Sequence, residues 1–319
     1  MAGMAGLRRK RRGALPPPRR PVEFFPEAAY PTRVVMKQLV WIRAALALGF
    51  LLLAVPGELR AQGRPASPPP PSSQGGGDYP APVGRSFRDC ADCPELMVIP
   101  PGQFIMGSPA AEVGRYNNEG PQRIVTLRAP LAVGVFEVTF AEWDACLTAG
   151  ACSHRPHDQG WGRGRQPVVN VSWDDTQQYL RWLTARTGKQ YRLLTEAEWE
   201  FAVRAGSNRP FTMGNTINES LANYGGTVAR ARPAGSYPPN RFGLHDMHGN
   251  VWEWVQDCLE RTYNNAPSDA AEPVIVSGCA WRVLRGGSWS NAQQFLRSAM
   301  RHGMSAGTRA DNIGFRVAR

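Results

Sequence analysis

The sequence predicts an α+β domain rich in loops and poor in long regular elements, and three observations predict it. Helix start signals occur only in the middle of the chain. Short alternating apolar runs lie on either side of them. Beyond Gly206 the chain is dominated by Gly, Pro and Asn, with tryptophans set among them as anchors. With 319 residues the chain has room for about two domains or one large one.

The first elements are short strands over 97–99 and 103–106, separated by the turn signal Pro100-Pro101-Gly102, and a third over 124–127. Three helices then share one signal, a Ser or Thr followed three residues later by an acid, which satisfies two backbone N–H groups otherwise left unpaired. Thr139 with Glu142 opens the first, which ends near Gly150. Ser172 with Asp175 opens the second, which sets Tyr179, Leu180 and Leu183 on one face and stops at Gly188. Thr195 with Glu198 opens the third, with Trp199, Ala202 and Val203 inward and Gly206 just past its end. Both longer helices read as amphipathic. A last strand is expected over 314–318. The loops between are long, and long loops in a compact domain are usually functional or ion-braced.

The segment 243–254 organises the rest. It places Asp246 and Glu253 around a Gly249-Asn250 turn and follows them with an alternation of Trp252 and Trp254. In an extended segment successive side chains take opposite faces. The two indoles therefore share a face toward a core, and Glu253 takes the other. Carboxylates with the free carbonyls of a turn are hard oxygen donors, the set that calcium prefers. An ordinary β-turn with two core tryptophans and two solvated acids accounts for the same spacing. His245 and His248 with one carboxylate could instead form a two-histidine transition-metal site.

Charge is unevenly distributed. Residues 1–61 hold 11 Lys/Arg against 3 Asp/Glu, leaving 26 against 23 in the remainder, so most of the net charge of +11 belongs to the N-terminus. The body of the chain thus has no electrostatic footprint for nucleic acid. Residues 36–61 read as a signal peptide: a charged start at Met36 and Lys37, an apolar run over 44–55 and a small residue, Ala61, at a plausible cut. That run is shorter than the roughly 20 apolar residues a bilayer span needs. Residues 1–35 are an Arg/Pro-rich extension without periodicity, or else lie upstream of a true start at Met36. Residues 62–88 form a Pro/Gly/Ser linker, and 89–319 read as one domain. Six cysteines fit export to a periplasmic or extracellular space; they allow 15 pairings among which sequence alone does not choose, and close spacing suggests Cys90–Cys93, Cys146–Cys152 and Cys258–Cys279, the last closing a loop worth about 3 kcal/mol.

Seven segments together resemble the formylglycine-generating enzyme, or sulfatase-modifying factor, family: 97–108, Glu137-Val138-Thr139, 167–173, 192–202, 243–254, Arg285-Gly286-Gly287-Ser288-Trp289 and Asn312-Ile313-Gly314-Phe315-Arg316. The resemblance implies a variant of the C-type-lectin-like fold with bound calcium. The calcium ligands carry over to Asp246, Gly249, Val251 and Glu253. A second calcium site would begin at Asn223 and Tyr224, but the stretch 227–234, where its acid should lie, has none.

The oxidising members hold Cu(I) on two cysteines after the Arg-Gly-Gly-Ser motif. Here those positions are Asn291 and Leu296, with Ser288 at the family's serine. An amide and an alkane are not soft ligands, so copper is not expected. Iron-dependent relatives add a histidine-bearing helical domain, whereas residues 1–88 contain no histidine. The expectation is a calcium-braced, non-copper binding member that takes a peptide, glycan or protein partner near 288–295. The alternative is an oxidoreductase acting on a protein or peptide through another centre, with His245, His248 or His302 as donors. Arg297, Arg301, Arg309 and Arg316 could bind an anion, or pair with loop acids.

Overall fold

A computed structural model describes residues 79–319. The expected signal peptide, the expected N-terminal extension and residues 62–78 of the expected linker lie outside the described residues. Contacts of the folded part begin upstream of Asp89: the Tyr79 hydroxyl donates to the carbonyl of Arg319 at 2.8 Å, and its ring packs on Phe87.

The first sheet has five strands in the order β1 (Ser86–Phe87), β2 (Leu96–Ile99), β5 (Leu131–Gly134), β11 (Val317–Ala318) and β6 (Arg192–Leu193), joining both ends of the domain. A two-stranded hairpin is made of β3 (Gly102–Met106) and β4 (Arg123–Leu127). The second sheet runs β10 (Ile313–Phe315), β7 (Trp252–Cys258), β8 (Arg282–Arg285) and β9 (Arg301–Met304), with β10 parallel to β7. The short strands β5, β6, β8 and β9 carry no local signal strong enough to announce them; pairing partners far away in sequence define them.

The three helices are α1 (Phe140–Thr148), α2 (Trp173–Thr187) and α3 (Glu196–Arg204). Each opens on the expected reciprocal cap, with Thr139, Ser172 and Thr195 at the N-cap. Gly188 ends α2 in the left-handed region. At the end of α3 Ala205 already takes that conformation, at φ 43°, and Gly206 continues it. α3 departs from the amphipathic reading, because all nine of its residues are buried. Its acids face arginines of other elements instead of water, which a helical periodicity analysis counts as a polar face.

Trp143, Tyr179, Trp252, Trp254 and Phe315 share one apolar core, in which Trp143 stacks on Tyr179 at 5.7 Å. Val125, Leu131, Trp199, Val255 and Val283 fill a second. The three disulfides join Cys90 to Cys93, Cys146 to Cys152 and Cys258 to Cys279, as the spacing indicated.

Asp257, near the end of β7, is buried and accepts from the amides of Glu196 and Val274 at 2.7 and 2.8 Å. Burial, reinforced by the charge of Glu196, pushes its carboxyl from 3.8 up to about 7. Between those two values the native protein holds a proton that the unfolded chain has released. The stability linked to Asp257 is therefore full below the lower value and falls as pH rises to the upper. Urea titrations between pH 4 and 7 should show the slope of unfolding free energy against pH more positive in Asp257→Asn than in wild type, by about 1.4 kcal/mol per pH unit.

Candidate functional site

The turn before β7 is built from residues in unusual backbone regions: Asp246, Gly249 and Asn250 all have positive φ. Gly249 is needed there, because a Cβ would meet the carbonyl oxygen of Asn223 at 2.3 Å. The alternation beyond the turn behaves as expected. Trp252 and Trp254 are buried in the same core, and the Trp254 indole donates to the Val171 carbonyl at 3.0 Å.

Glu253 occupies the opposite face but is buried there. Arg316 donates to both of its oxygens, at 2.8 Å from Nη2 and 3.1 Å from Nε, and the Trp199 indole adds a bond of 2.7 Å. Arg316 itself is fully buried and also donates to the carbonyls of Gly134, Val135 and His245. One guanidinium thus fastens the turn to the end of β5.

Asp246 faces the same interior. Its Oδ2 accepts from the Gly235 amide at 2.6 Å, while Oδ1 is buried without a partner. Burial pushes its carboxyl up to about 6, against the opposing pull of the Gly235 amide and Arg316. Glu137, which the sequence reading passed over as a site residue, lies beside it. Its Oε1 accepts from Asn250 Nδ2 at 2.9 Å and its Oε2 is buried without a partner. Burial first, and the Asp246 charge next, push it well above the ordinary carboxylate range. The available signal was a lone acid in the apolar run from Leu131 to Val138.

The histidines of the turn are spoken for. His245 Nδ1 lies 2.7 Å from the Tyr237 carbonyl, and its ring packs on Phe136. His248 Nδ1 lies 2.7 Å from the Leu296 carbonyl, with Nε2 on Thr212 at 3.0 Å; burial pushes it down to about 4. His302 packs on Trp252 and burial pushes it down to about 4 as well. Among the described residues, no three His, Cys, Asp or Glu side chains converge to hold a metal ion.

The loop of Asn223 and Tyr224 runs alongside. Asn223 Nδ2 donates to the Arg230 carbonyl at 2.9 Å and to Asn250 Oδ1 at 3.1 Å, leaving its own Oδ1 buried without a partner. The next two amides, of Gly225 and Gly226, donate to the carbonyls of Asn291 and Trp289 at 2.7 Å each. The turn before β7 and the Arg285–Ser288 motif are therefore parts of one loop assembly.

At that motif Arg285 is buried against Glu200 and the carbonyls of Ser298, Ala299 and Met300. Ser288 Oγ donates to Asn291 Oδ1 at 2.6 Å and accepts from Asn312 Nδ2 at 3.2 Å, beside Ser290. None of these partners is a base able to take its proton. Leu296 is fully buried and packs with Phe211, Ile217 and Ala222. The side chain at one family copper position thus ends in a hydroxyl–amide network, and at the other in an apolar cluster. Every one of the six cysteines is in a disulfide, and among the described residues none is free. The outer surface here is aromatic and half-exposed, with Trp161 edge-on to Trp289 at 5.7 Å and Tyr116 stacked on Phe295 at 6.1 Å.

The C-terminal arginines all pair with acids. Arg297 meets Glu112 and Glu119, Arg301 meets Glu196, Arg309 meets Asp175 and Arg316 meets Glu253. Three of the four are buried, so they stiffen loops and do not present a cationic face.

Comparison with known proteins places this assembly. PvdO from Pseudomonas aeruginosa is similar in structure, with a TM-score of 0.70 and 41% identity over 75% of this chain and 99% of that one. The inactive C-alpha-formylglycine-generating enzyme 2 of Mus musculus is 29% identical over 290 residues, covering 72% of this chain and 86% of the relative. The serine/threonine-protein kinase pkn1 of Chlamydia pneumoniae is 40% identical over 162 residues, half of this chain, which spans only 25% of that relative's length. The profile of the sulfatase-modifying factor enzyme 1-like domain matches residues 83–319. With that match and the α+β, loop-rich architecture the resemblance implied, the chain belongs to the formylglycine-generating enzyme, or sulfatase-modifying factor, family.

Proposed function

We propose that this protein is an exported, calcium-braced member of the family that binds a peptide, glycan or protein partner at the aromatic surface around Trp289 and Phe295, without copper–thiolate oxidation. One observation supports it above the others. All six cysteines are spent in disulfides, and the family's copper positions hold Asn291 and Leu296. Cu(I) chemistry of the family type needs soft sulfur donors, and the local donors are amide and hydroxyl oxygens.

Export rests on the signal-like segment 36–61 and on three disulfides, which suit an oxidising compartment. Among the described residues no helix is long and apolar enough to cross a membrane.

Calcium fits the donors at the turn. Asp246 offers an open, buried carboxylate oxygen, and hard oxygen is what the ion takes. When bound, calcium would neutralise buried carboxylate charge and hold the 246–253 turn against its neighbours. Asp246 and the carbonyls of Gly249 and Val251 are the first candidates to hold it, with Glu253 steadied by Arg316. The test is metal analysis of the purified protein, with a thermal melt before and after chelation. Stoichiometric calcium, no copper or iron, and a lower melting temperature after chelation are expected. Bound copper or iron would overturn the reading.

A further inference from the structure

The hairpin of β3 and β4 leaves one strand edge open. In an antiparallel pair, facing residues alternate between those that exchange backbone bonds and those whose N–H and C=O groups point outward. Thr126 is of the second kind: its amide donates to the Ser268 carbonyl and its carbonyl accepts from the Ala270 amide, each at 2.9 Å. Gln103 faces Thr126, and Ile105 faces Ile124. The N–H and C=O groups of Gln103 and Ile105 therefore point away from β4 as well. Among the described residues no strand lies along that side of β3.

Natural proteins blunt such edges with charges, prolines or bulges. β3 reads Gly-Gln-Phe-Ile-Met and runs in unbroken register with β4, so it carries none of these. Its outer face is apolar: Ile105 is 41% exposed and Ile124, directly across, 64%. A cavity of about 320 Å³ runs beside the strand, lined by Gln103, Phe104, Ile105, Arg204, Ser207 and Asn208 among others.

The open stretch has sharp ends. Pro101 has no N–H to give, and Gly107 turns away at φ 89° with its amide on Glu200 Oε1 at 2.8 Å. An added strand can pair only over 102–106. Within that window the two outward-facing residues stand symmetrically about Phe104. A two-fold axis at Phe104 sets Gln103 of one copy against Ile105 of the other, and each such pair exchanges both backbone bonds. No like charges are opposed, because the window holds no charged residue. The two Ile105–Ile124 pairs then meet diagonally as one apolar stripe. On the opposite face the two Phe104 rings stand side by side at the cavity.

We propose that β3 is a self-association edge, through which two copies of this chain pair antiparallel over residues 102–106 in a sheet of order β4–β3–β3–β4. A foreign strand would satisfy the same bonds, but a second copy brings a segment of matching length, symmetry and apolar side chains. The pairing is short beside an interface of standard size, about 1,600 Å², so a reversible dimer with a dissociation constant on the order of tens of micromolar is expected.

The test is sedimentation equilibrium of the purified protein from micromolar to near-millimolar concentration. Wild type should pass from monomer to dimer across that range. Ile105→Pro removes an outward N–H and sets a ring where the partner strand would lie; Ile105→Lys places a charge on the edge. Each should weaken dimerisation roughly tenfold or more. The lysine variant keeps every backbone bond of the hairpin, so it decides the matter if the proline variant fails to fold. Ile275→Lys, at an apolar residue 57% exposed elsewhere, should leave the dimer intact. Register is read by mixing Gln103→Cys with Ile105→Cys under oxidising conditions: the mixture should cross-link far more than either variant alone. Equal cross-linking in all three samples would overturn the two-fold register. A wild type that stays monomeric throughout, even one that captures a strand from another protein, would overturn the second copy as occupant. A dimer that Ile105→Lys leaves at wild-type strength would overturn the edge itself.

Discussion

Arg316→Met is expected to lower the unfolding free energy by about 3–5 kcal/mol, measured by urea denaturation in calcium-free buffer. The substitution keeps the apolar stem and removes the charge that meets Glu253, which is 1% exposed. It also strips the carbonyls of Gly134, Val135 and His245 of their donor. The cost comes from stranding a buried carboxylate, and not from the ion pair being intrinsically favourable. The double variant Arg316→Met with Glu253→Gln should therefore recover part of the loss, which a double-mutant cycle reads directly. Calcium should restore part of the stability of the single variant, since a freed Glu253 becomes available to the ion.

Glu200→Ala should cost a similar amount, about 3–5 kcal/mol, for the same reason at the other functional loop. Glu200 is fully buried on α3 and receives Arg204, the Gly107 amide and Arg285. Without it Arg285 loses its nearer counter-charge and keeps Glu196 at 3.8 Å. Arg285 also ties β8 to the carbonyls of 298–300 beneath Gly286-Gly287-Ser288. Hydrogen exchange should then accelerate at the Trp289 and Asn291 amides, which are bonded to the carbonyls of Asn250 and Ser288, more than at the amides of α2. Uniform acceleration across the domain would mean that Glu200 supports the fold at large and not this loop.

These two arginines mark what the sequence could and could not reveal. Helix starts were legible because a cap is a local event: Thr139 and Glu142 are three residues apart and satisfy each other. The Trp252/Trp254 alternation was legible because a strand puts alternate residues on one face. The turn at Gly249-Asn250 was legible from residues that tolerate positive φ. Disulfide pairing was suggested by short spacing but not fixed by it, because six cysteines allow 15 pairings.

Long-range pairings were not legible. β8 and β9 exist because they pair with each other and β8 pairs with β7, and nothing within four residues signals that. Burial of Glu196, Glu198 and Glu200 was invisible because an acid on a helix reads as solvated until the arginines of 192, 285 and 301 arrive from other elements. Glu137 was missed for the same reason: its neighbour Asp246 is far away in sequence. The resemblance pointed to the 246–253 turn as a candidate calcium site and to Asn291 and Leu296 as the family's copper positions. The structure added that Glu253 pairs with Arg316, and that the side chains at Asn291 and Leu296 go to separate environments.

The claim on which the rest depends is that the scaffold lacks the sulfur pair that binds Cu(I). The direct measurement is incubation of the purified protein with a Cys-x-Pro-x-Arg peptide, copper and oxygen, followed by mass spectrometry of the peptide. The account predicts a peptide that keeps its thiol, with no aldehyde product. Conversion of that thiol to the aldehyde, turning over more than once per protein chain, would contradict it.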